Sequence, residues 1–194
     1  MDTGHPKVNL TIQNIVSSVD LHTSINLEQA AVELPSTVQV SYIPDQFPGL
    51  IIKLRKPKVS LLLFSSGKCV VTGAKTIQHT YQALEILIDL LNTMGMLIAD
   101  DPTVTVQNVV ASGNFYNTIN LELAALILDT SMYEPESFPG LIYRIQNPKA
   151  VLLLFQSGKF VCTGCKNEEV AYEAAMKTRL LLEDADAFGW DISL

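Results

Sequence analysis

The chain has 194 residues, 48% hydrophobic and 17% charged, which excludes a disordered polymer and allows one large domain or two intimate halves. No apolar run reaches the roughly 18–20 residues needed to span a bilayer. Met1-Asp2-Thr3-Gly4-His5-Pro6 lacks a basic-then-apolar leader, so an intracellular protein is expected. A β-branched alternating strand opens the chain at Val8–Val16, and a short helix fits Leu27–Val32 with Asn26 as its N-cap. Strands follow near Thr37–Tyr42, Gly49–Arg55, Ser60–Phe64 and Lys68–Thr72, separated by turn signals at Asp45–Gly49, Lys56-Pro57-Lys58 and Ser65-Ser66-Gly67. A long helix then runs from Thr76 to Met94 and stops at Gly95, with Tyr81, Leu84, Leu87, Ile88 and Leu91 at helical spacing.

After Asp100-Asp101-Pro102 the same order returns: a strand from Val104, a helix from Leu121, four strands, and a long helix over Glu168–Asp184 with an acidic tail, Glu183-Asp184-Ala185-Asp186. The return is nearly literal. Residues 47–75 and 138–166 are identical at 18 of 29 positions without a gap. Gln13-Asn14 matches Gln107-Asn108, and Ile25–Ala31 matches Ile119–Ala125, with three extra residues in the first copy between Val32 and Tyr42. Two long copies are too few for a solenoid. They imply one molecule with internal pseudo-two-fold symmetry, repeats at 7–98 and 99–190, and a ligand that is itself two-fold.

Charge follows the repeat. Residues 46–75 and 137–166 together hold ten basic residues and no acid, whereas the remainder holds three basic and twenty acidic residues. Matching basic segments on an acidic body make a positive patch, so the net charge of −7 does not exclude nucleic acid. Short loops make the strands antiparallel hairpins. Leu61-Leu62-Leu63-Phe64 and Val70-Val71 are nonetheless apolar on both faces. Helices can cover one face of such a sheet, and nothing left in the chain can cover the other, so an external ligand or another subunit is required there.

The doubled set Gln-Asn-Ile/Val-Val, Tyr-x-Pro-Glu/Asp-x-Phe-Pro-Gly-Leu-Ile, Leu-Leu-Leu-Phe-x-Ser-Gly-Lys and Thr-Gly-x-Lys resembles the TATA-binding protein family over Val8–Asp184. Both loops read Phe-Pro-Gly and the C-terminus is acidic, which resembles the archaeal branch. The resemblance implies an α+β fold: a saddle-shaped ten-stranded antiparallel sheet built from two pseudo-two-fold repeats, helices on the convex face and DNA under the concave one. It implies a general transcription factor that binds TATA-box promoter DNA in the minor groove, bends it, and recruits transcription factor B and, indirectly, RNA polymerase. Localisation would be cytoplasmic and nucleoid-associated in an archaeon, or nuclear in a eukaryote.

The minor groove presents only acceptors at A·T pairs, while G·C adds an amino donor. The resemblance makes Asn14, Asn108, Thr72 and Thr163 donors to those acceptors, with Val16, Val70, Val110, Val161, Leu62 and Leu153 lying against sugars and base edges. Phe47, Phe64, Phe138 and Phe155 match the family's four wedges, which unstack base steps; minor-groove kinking by this family is a standard example of the mechanism. Lys53, Arg55, Lys68, Lys75, Arg144, Lys159 and Lys166 are candidate phosphate contacts. Lys53 stands where the family usually has Arg, and Asp45-Gln46 where many members are basic, so binding should lean on the second repeat. Glu134 and Glu136 match the family's contacts to transcription factor B.

Other signals lead nowhere. Cys162-Thr163-Gly164-Cys165 has no second pair to complete a zinc site, and its counterparts Val71 and Ala74 mark the cysteines as small apolar residues. Gly67-Lys68 and Gly158-Lys159 lack the rest of a phosphate loop, and His5, His22 and His79 stand apart from any nucleophile. No enzyme, metal or cofactor is expected. The alternative to a promoter-binding factor is a divergent paralogue acting through protein contacts. Whether the free protein forms a homodimer through the uncovered face is left open.

Overall fold

The computed structural model describes residues 8–191, so His5 and the N-terminal hexapeptide lie outside the described residues. The chain runs β1 (Asn9–Asp20), α1 (Leu27–Glu33), β2 (Gln39–Ser41), β3 (Leu50–Lys53), β4 (Ser60–Leu63), β5 (Lys68–Ala74) and α2 (Ile77–Thr93). It repeats as β6 (Thr103–Asn114), β7 (Asn117–Ile119), α3 (Leu121–Ile127), β8 (Ser131–Tyr133), β9 (Gly140–Ile145), β10 (Ala150–Phe155), β11 (Lys159–Cys165) and α4 (Glu168–Asp184), followed by β12 (Phe188–Asp191). Ten strands form one antiparallel sheet in the order β2-β3-β4-β5-β1-β6-β11-β10-β9-β8. The α+β class and the ten-stranded sheet are as the sequence implies.

Two compact units divide the chain between Gln13 and Asn14 and again between Gln107 and Asn108. Residues 14–107 form the first-repeat unit; residues 8–13 and 108–191 form the second-repeat unit. This partition differs from that of the sequence repeats, because β1 and β6 each contribute to both units.

In the first-repeat unit, alternation along β3, β4 and β5 sends Leu50, Ile52, Leu61, Leu63, Cys69 and Val71 to one face, where all are buried. That face packs under α2, whose Ala83, Leu84, Leu87 and Leu91 recur at helical spacing and are also buried. Thr76 caps α2 by accepting from His79 N at 3.2 Å, and Gly95, at φ +79°, takes the left-handed conformation that ends it. The extra residues of this copy fall in the loop between α1 and β2.

The second-repeat unit repeats the layering. Leu141, Tyr143, Leu152, Leu154, Phe160 and Cys162 are buried under Ala171, Ala174, Ala175 and Leu182 of α4, which Asn167 caps through Val170 N at 2.8 Å. One feature departs from expectation. The acidic tail begins inside the last turn of α4, and the chain then returns as β12 to pair with β7 in a separate two-stranded sheet. Phe188 stands edge-on to Phe115 at 5.9 Å, Phe115 stacks on Phe160 at 4.5 Å, and the Arg179 guanidinium lies 5.2 Å from the centre of the Phe188 ring. These contacts give the C-terminal segment an apolar seat, which the acids alone do not reveal.

Candidate nucleic-acid interface

In both units the sheet face away from the helix carries rows of half-buried apolar side chains. Register places Ile51, Leu62, Val70 and Ser18 side by side across β3, β4, β5 and β1. The second-repeat unit repeats the row as Ile142, Leu153, Val161 and Ser112. Leu62, Val70, Leu153 and Val161 are therefore brought onto the open face, and Val16 and Val110 join them on β1 and β6 between buried neighbours. No helix among the described residues is long and apolar enough to cross a membrane.

The asparagines are held by a bulge. In β5, Gly73 at φ +92° inserts an extra residue against β1, and its N–H donates to Asn14 Oδ1 at 2.7 Å. Asn14 Nδ2 donates to Thr72 Oγ1 at 3.3 Å. In β11, Gly164 at φ +77° does the same: its N–H reaches Asn108 Oδ1 at 2.9 Å, and Asn108 Nδ2 donates to Thr163 Oγ1 at 3.0 Å. The glycine N–H fixes which end of each amide faces which way. The carbonyl end is turned to the glycine, and in the second-repeat unit Thr163 Oγ1 also donates to Asn108 Oδ1 at 3.3 Å, so the group each asparagine leaves for a ligand is its second amide N–H. That N–H is a donor, the polarity that a row of acceptors requires.

The phenylalanines form two pairs. Phe47 stands edge-on to Phe64 with centroids 5.7 Å apart, and Phe138 to Phe155 at 5.9 Å; all four are half-buried. Glycine makes each pair possible. A Cβ on Gly49 would lie 2.7 Å from Phe47 Cε1, and one on Gly140 would lie 2.8 Å from Phe138 Cε1.

All seven candidate phosphate cations are exposed. Lys53 and Arg55 line one surface cavity with Asn14, Thr72 and Gly73, while Lys68 lines another with Phe64 and Val70. Lys159 shares a cavity with Phe155 and Val161, and Arg144 lies in register with Val151 and Thr163. Lys75 and Lys166 stand apart, in the turns into α2 and α4. Glu134 and Glu136 are exposed in the loop between β8 and β9, where Glu134 O accepts from Ser137 N and Phe138 N at 2.9 Å.

Several groups on the open face were not among the residues the sequence singled out. Lys58 lines the cavity of Asn14. Gln13 Nε2 donates to Ser112 Oγ at 2.8 Å, and Gln107 Nε2 to Ser18 Oγ at 2.7 Å. Strict alternation would put Gln13 opposite Asn14, but β1 switches faces there: Asn9 and Thr11 line the cavity of Phe155, whereas Ile15, Ser17 and Val19 are buried. The repeated Gln-Asn pair was the available signal.

The bulge also turns Cys162 and Cys165 to one covered side, where both are buried. Cys162 donates to Cys165, which pushes the Cys162 thiol up, with burial adding to the shift, and holds Cys165 down.

Residues 9–94 and 103–185 match the family model described as transcription factor TFIID, or TATA-binding protein. A TATA-box-binding protein of Thermococcus kodakarensis is 47% identical over 182 residues, 94% of this chain and 93% of that protein. One from Pyrobaculum calidifontis is 48% identical over 166 residues, 86% of this chain and 82% of its own. Among solved structures, Methanococcus jannaschii TBP superposes with a TM-score of 0.83 at 40% identity, covering 91% of this chain and 99% of that one.

Proposed function

The chain belongs to the TATA-binding protein family of general transcription factors, and from that premise we propose that it binds TATA-like promoter DNA through the minor groove, kinks it, and presents the complex to transcription factor B, through which RNA polymerase is recruited. The observation that carries this reading is the pair of asparagine–threonine–glycine clamps. Each turns its amide carbonyl to a glycine N–H and leaves its second amide N–H free to donate, beside rows of half-buried Val and Leu.

Adenine N3 and thymine O2 accept those donors, and the apolar rows leave no room for the guanine amino group. Phe47 with Phe64, and Phe138 with Phe155, supply two ring pairs to unstack base steps, and the wider groove that results lets more of the apolar face reach the sugars. The exposed lysines and arginines contact phosphates and make binding weaken with salt. Glu134 and Glu136 meet basic residues of transcription factor B.

A mobility-shift titration on TATA and scrambled duplexes, with and without transcription factor B and at several salt concentrations, tests this. Preference for the TATA duplex and a supershift are expected. Failure to bind DNA even at low salt, with partner binding intact, would point instead to a protein-interaction role.

A further inference from the structure

Asp20 and Asn114 occupy equivalent places at the ends of β1 and β6, each on the open face of its unit. Asp20 lies across from Lys68 and Asn114 across from Lys159. Each side chain closes the same turn. Asp20 Oδ1 accepts from His22 N at 2.9 Å and Asn114 Oδ1 accepts from Tyr116 N at 2.8 Å, with His22 and Tyr116 both left-handed at φ 54° and 64°. The residues that follow match as well, since His22 Nε2 meets Thr103 Oγ1 at 2.8 Å and Tyr116 Oη accepts from Asn9 Nδ2 at 3.2 Å. Because the turn takes one oxygen in both cases, the chemistry of the remaining atom is fixed. Asp20 is left with a carboxylate oxygen, an acceptor; Asn114 is left with an NH2, a donor.

Both atoms sit beside the base-facing groups of their own unit. Asp20 shares a cavity with Phe64, Val70 and Thr105, and Asn114 with Phe155, Val161 and Thr11. Among the described residues the ion-pair neighbour of Asp20 is His22 Nδ1, 3.7 Å away, and the Asp20 side chain is 39% exposed.

We propose that Asp20 and Asn114 give the two half-sites opposite base preferences next to the kinks: the first-repeat unit accepts a G·C pair there, and the second-repeat unit demands A·T. This rests on the minor-groove reading given above. The guanine N2 amino group is the only base donor in that groove. It donates to the Asp20 carboxylate, whereas adenine N3 and thymine O2 repel it. The Asn114 amide makes the reverse selection. A site that is otherwise symmetric in A·T pairs thereby acquires a direction, with its G·C-bearing end under the first repeat.

The test uses the full chain and a self-symmetric A·T duplex carrying one G·C pair, placed at successive positions near one end. A Ser157→Cys variant bearing an iron chelate reports which duplex end the second-repeat unit occupies, by backbone cleavage. At one position the wild type should cleave the G·C-free end about five- to tenfold more strongly. Replacing guanine by inosine, which lacks the amino group, should abolish that bias. Asp20→Asn should abolish it too, and Asp20→Asn with Asn114→Asp should reverse it. A bias that survives inosine, or an Asp20→Asn variant that binds every duplex more tightly by one common factor, would overturn the proposal and leave Asp20 as a phosphate repellent. Absence of cleavage on all duplexes, with no mobility shift on TATA DNA, would instead sink the minor-groove reading itself.

Discussion

Phe138 stands edge-on to Phe155, with ring centroids 5.9 Å apart and planes at 65°, and the pair closes over Gly140. Two half-buried rings held against each other form a stiff wedge, since neither can rotate away without losing the contact. Replacing both by alanine should abolish bending, read as end-to-end fluorescence transfer on a TATA duplex. Unchanged transfer would remove these rings from the mechanism.

Gly140 has no room for a methyl group. Its Cβ would lie 2.8 Å from Phe138 Cε1 and 3.0 Å from Leu154 O, a backbone atom. Gly140→Ala should therefore destabilise the protein by about 1–3 kcal/mol, the usual cost of overpacking. The relief available is a splayed ring pair. Chemical denaturation checks the first effect, and reduced bending at saturating protein checks the second.

Asn108 links the bulge to the ligand face. Asn108→Ala takes the acceptor from the exposed Gly164 N–H, at a cost of about 0.5–1.5 kcal/mol in stability, and deletes an outward donor. Selection from a randomised duplex pool should then show relaxed A·T preference at the centre of the site. A selected consensus identical to wild type would count against the donor role.

Glu134 and Glu136 belong to a loop that the Phe138 backbone helps to shape, yet both side chains are exposed. Reversing them to lysine should eliminate the supershift with transcription factor B while DNA binding persists. Loss of both together would mean that the loop, rather than its charge, was damaged.

Cys69 offers a pH readout of the core. Burial pushes its thiol from 9.0 up to about 12, so the folded state holds the proton more tightly than the unfolded chain. The stability this contributes is fully present below about pH 9 and is lost as pH rises toward 12, at up to roughly 1.4 kcal/mol per pH unit. Urea midpoints of wild type and Cys69→Ala, measured from pH 8 to 11, should converge as pH rises. Parallel curves would exclude the effect.

How much of this the sequence discloses depends on the range of the interaction. The cap at Asn26 and the short apolar run Leu61–Phe64 bounded by turn signals act within a few residues, and they read directly as a helix start and a strand. The repeat brought out Asn14, Asn108 and the four phenylalanines because the same residues recur at the same places. Pairing of β12 with β7 is invisible locally: a strand containing Gly189 has weak propensity, and its seat on Phe115 and Arg179 exists only after α4 has packed. The donor role of the asparagines followed from the resemblance, but its physical cause did not, since it depends on a left-handed glycine in a neighbouring strand.

That polarity has a consequence for the protein before it meets a ligand. Solvent over the second amide N–H of Asn14, or of Asn108, turns its oxygen inward to accept that donor, leaving its hydrogens pointing out. Water in an A·T-rich minor groove is oriented the other way relative to its host, with hydrogens on the base acceptors. When the two surfaces meet, each sheds a layer whose orientation the other surface reproduces with its own atoms. Neither must reorganise, and the liberated water, together with the drying of the valine and leucine rows, lets association be driven by hydration entropy with a falling heat capacity.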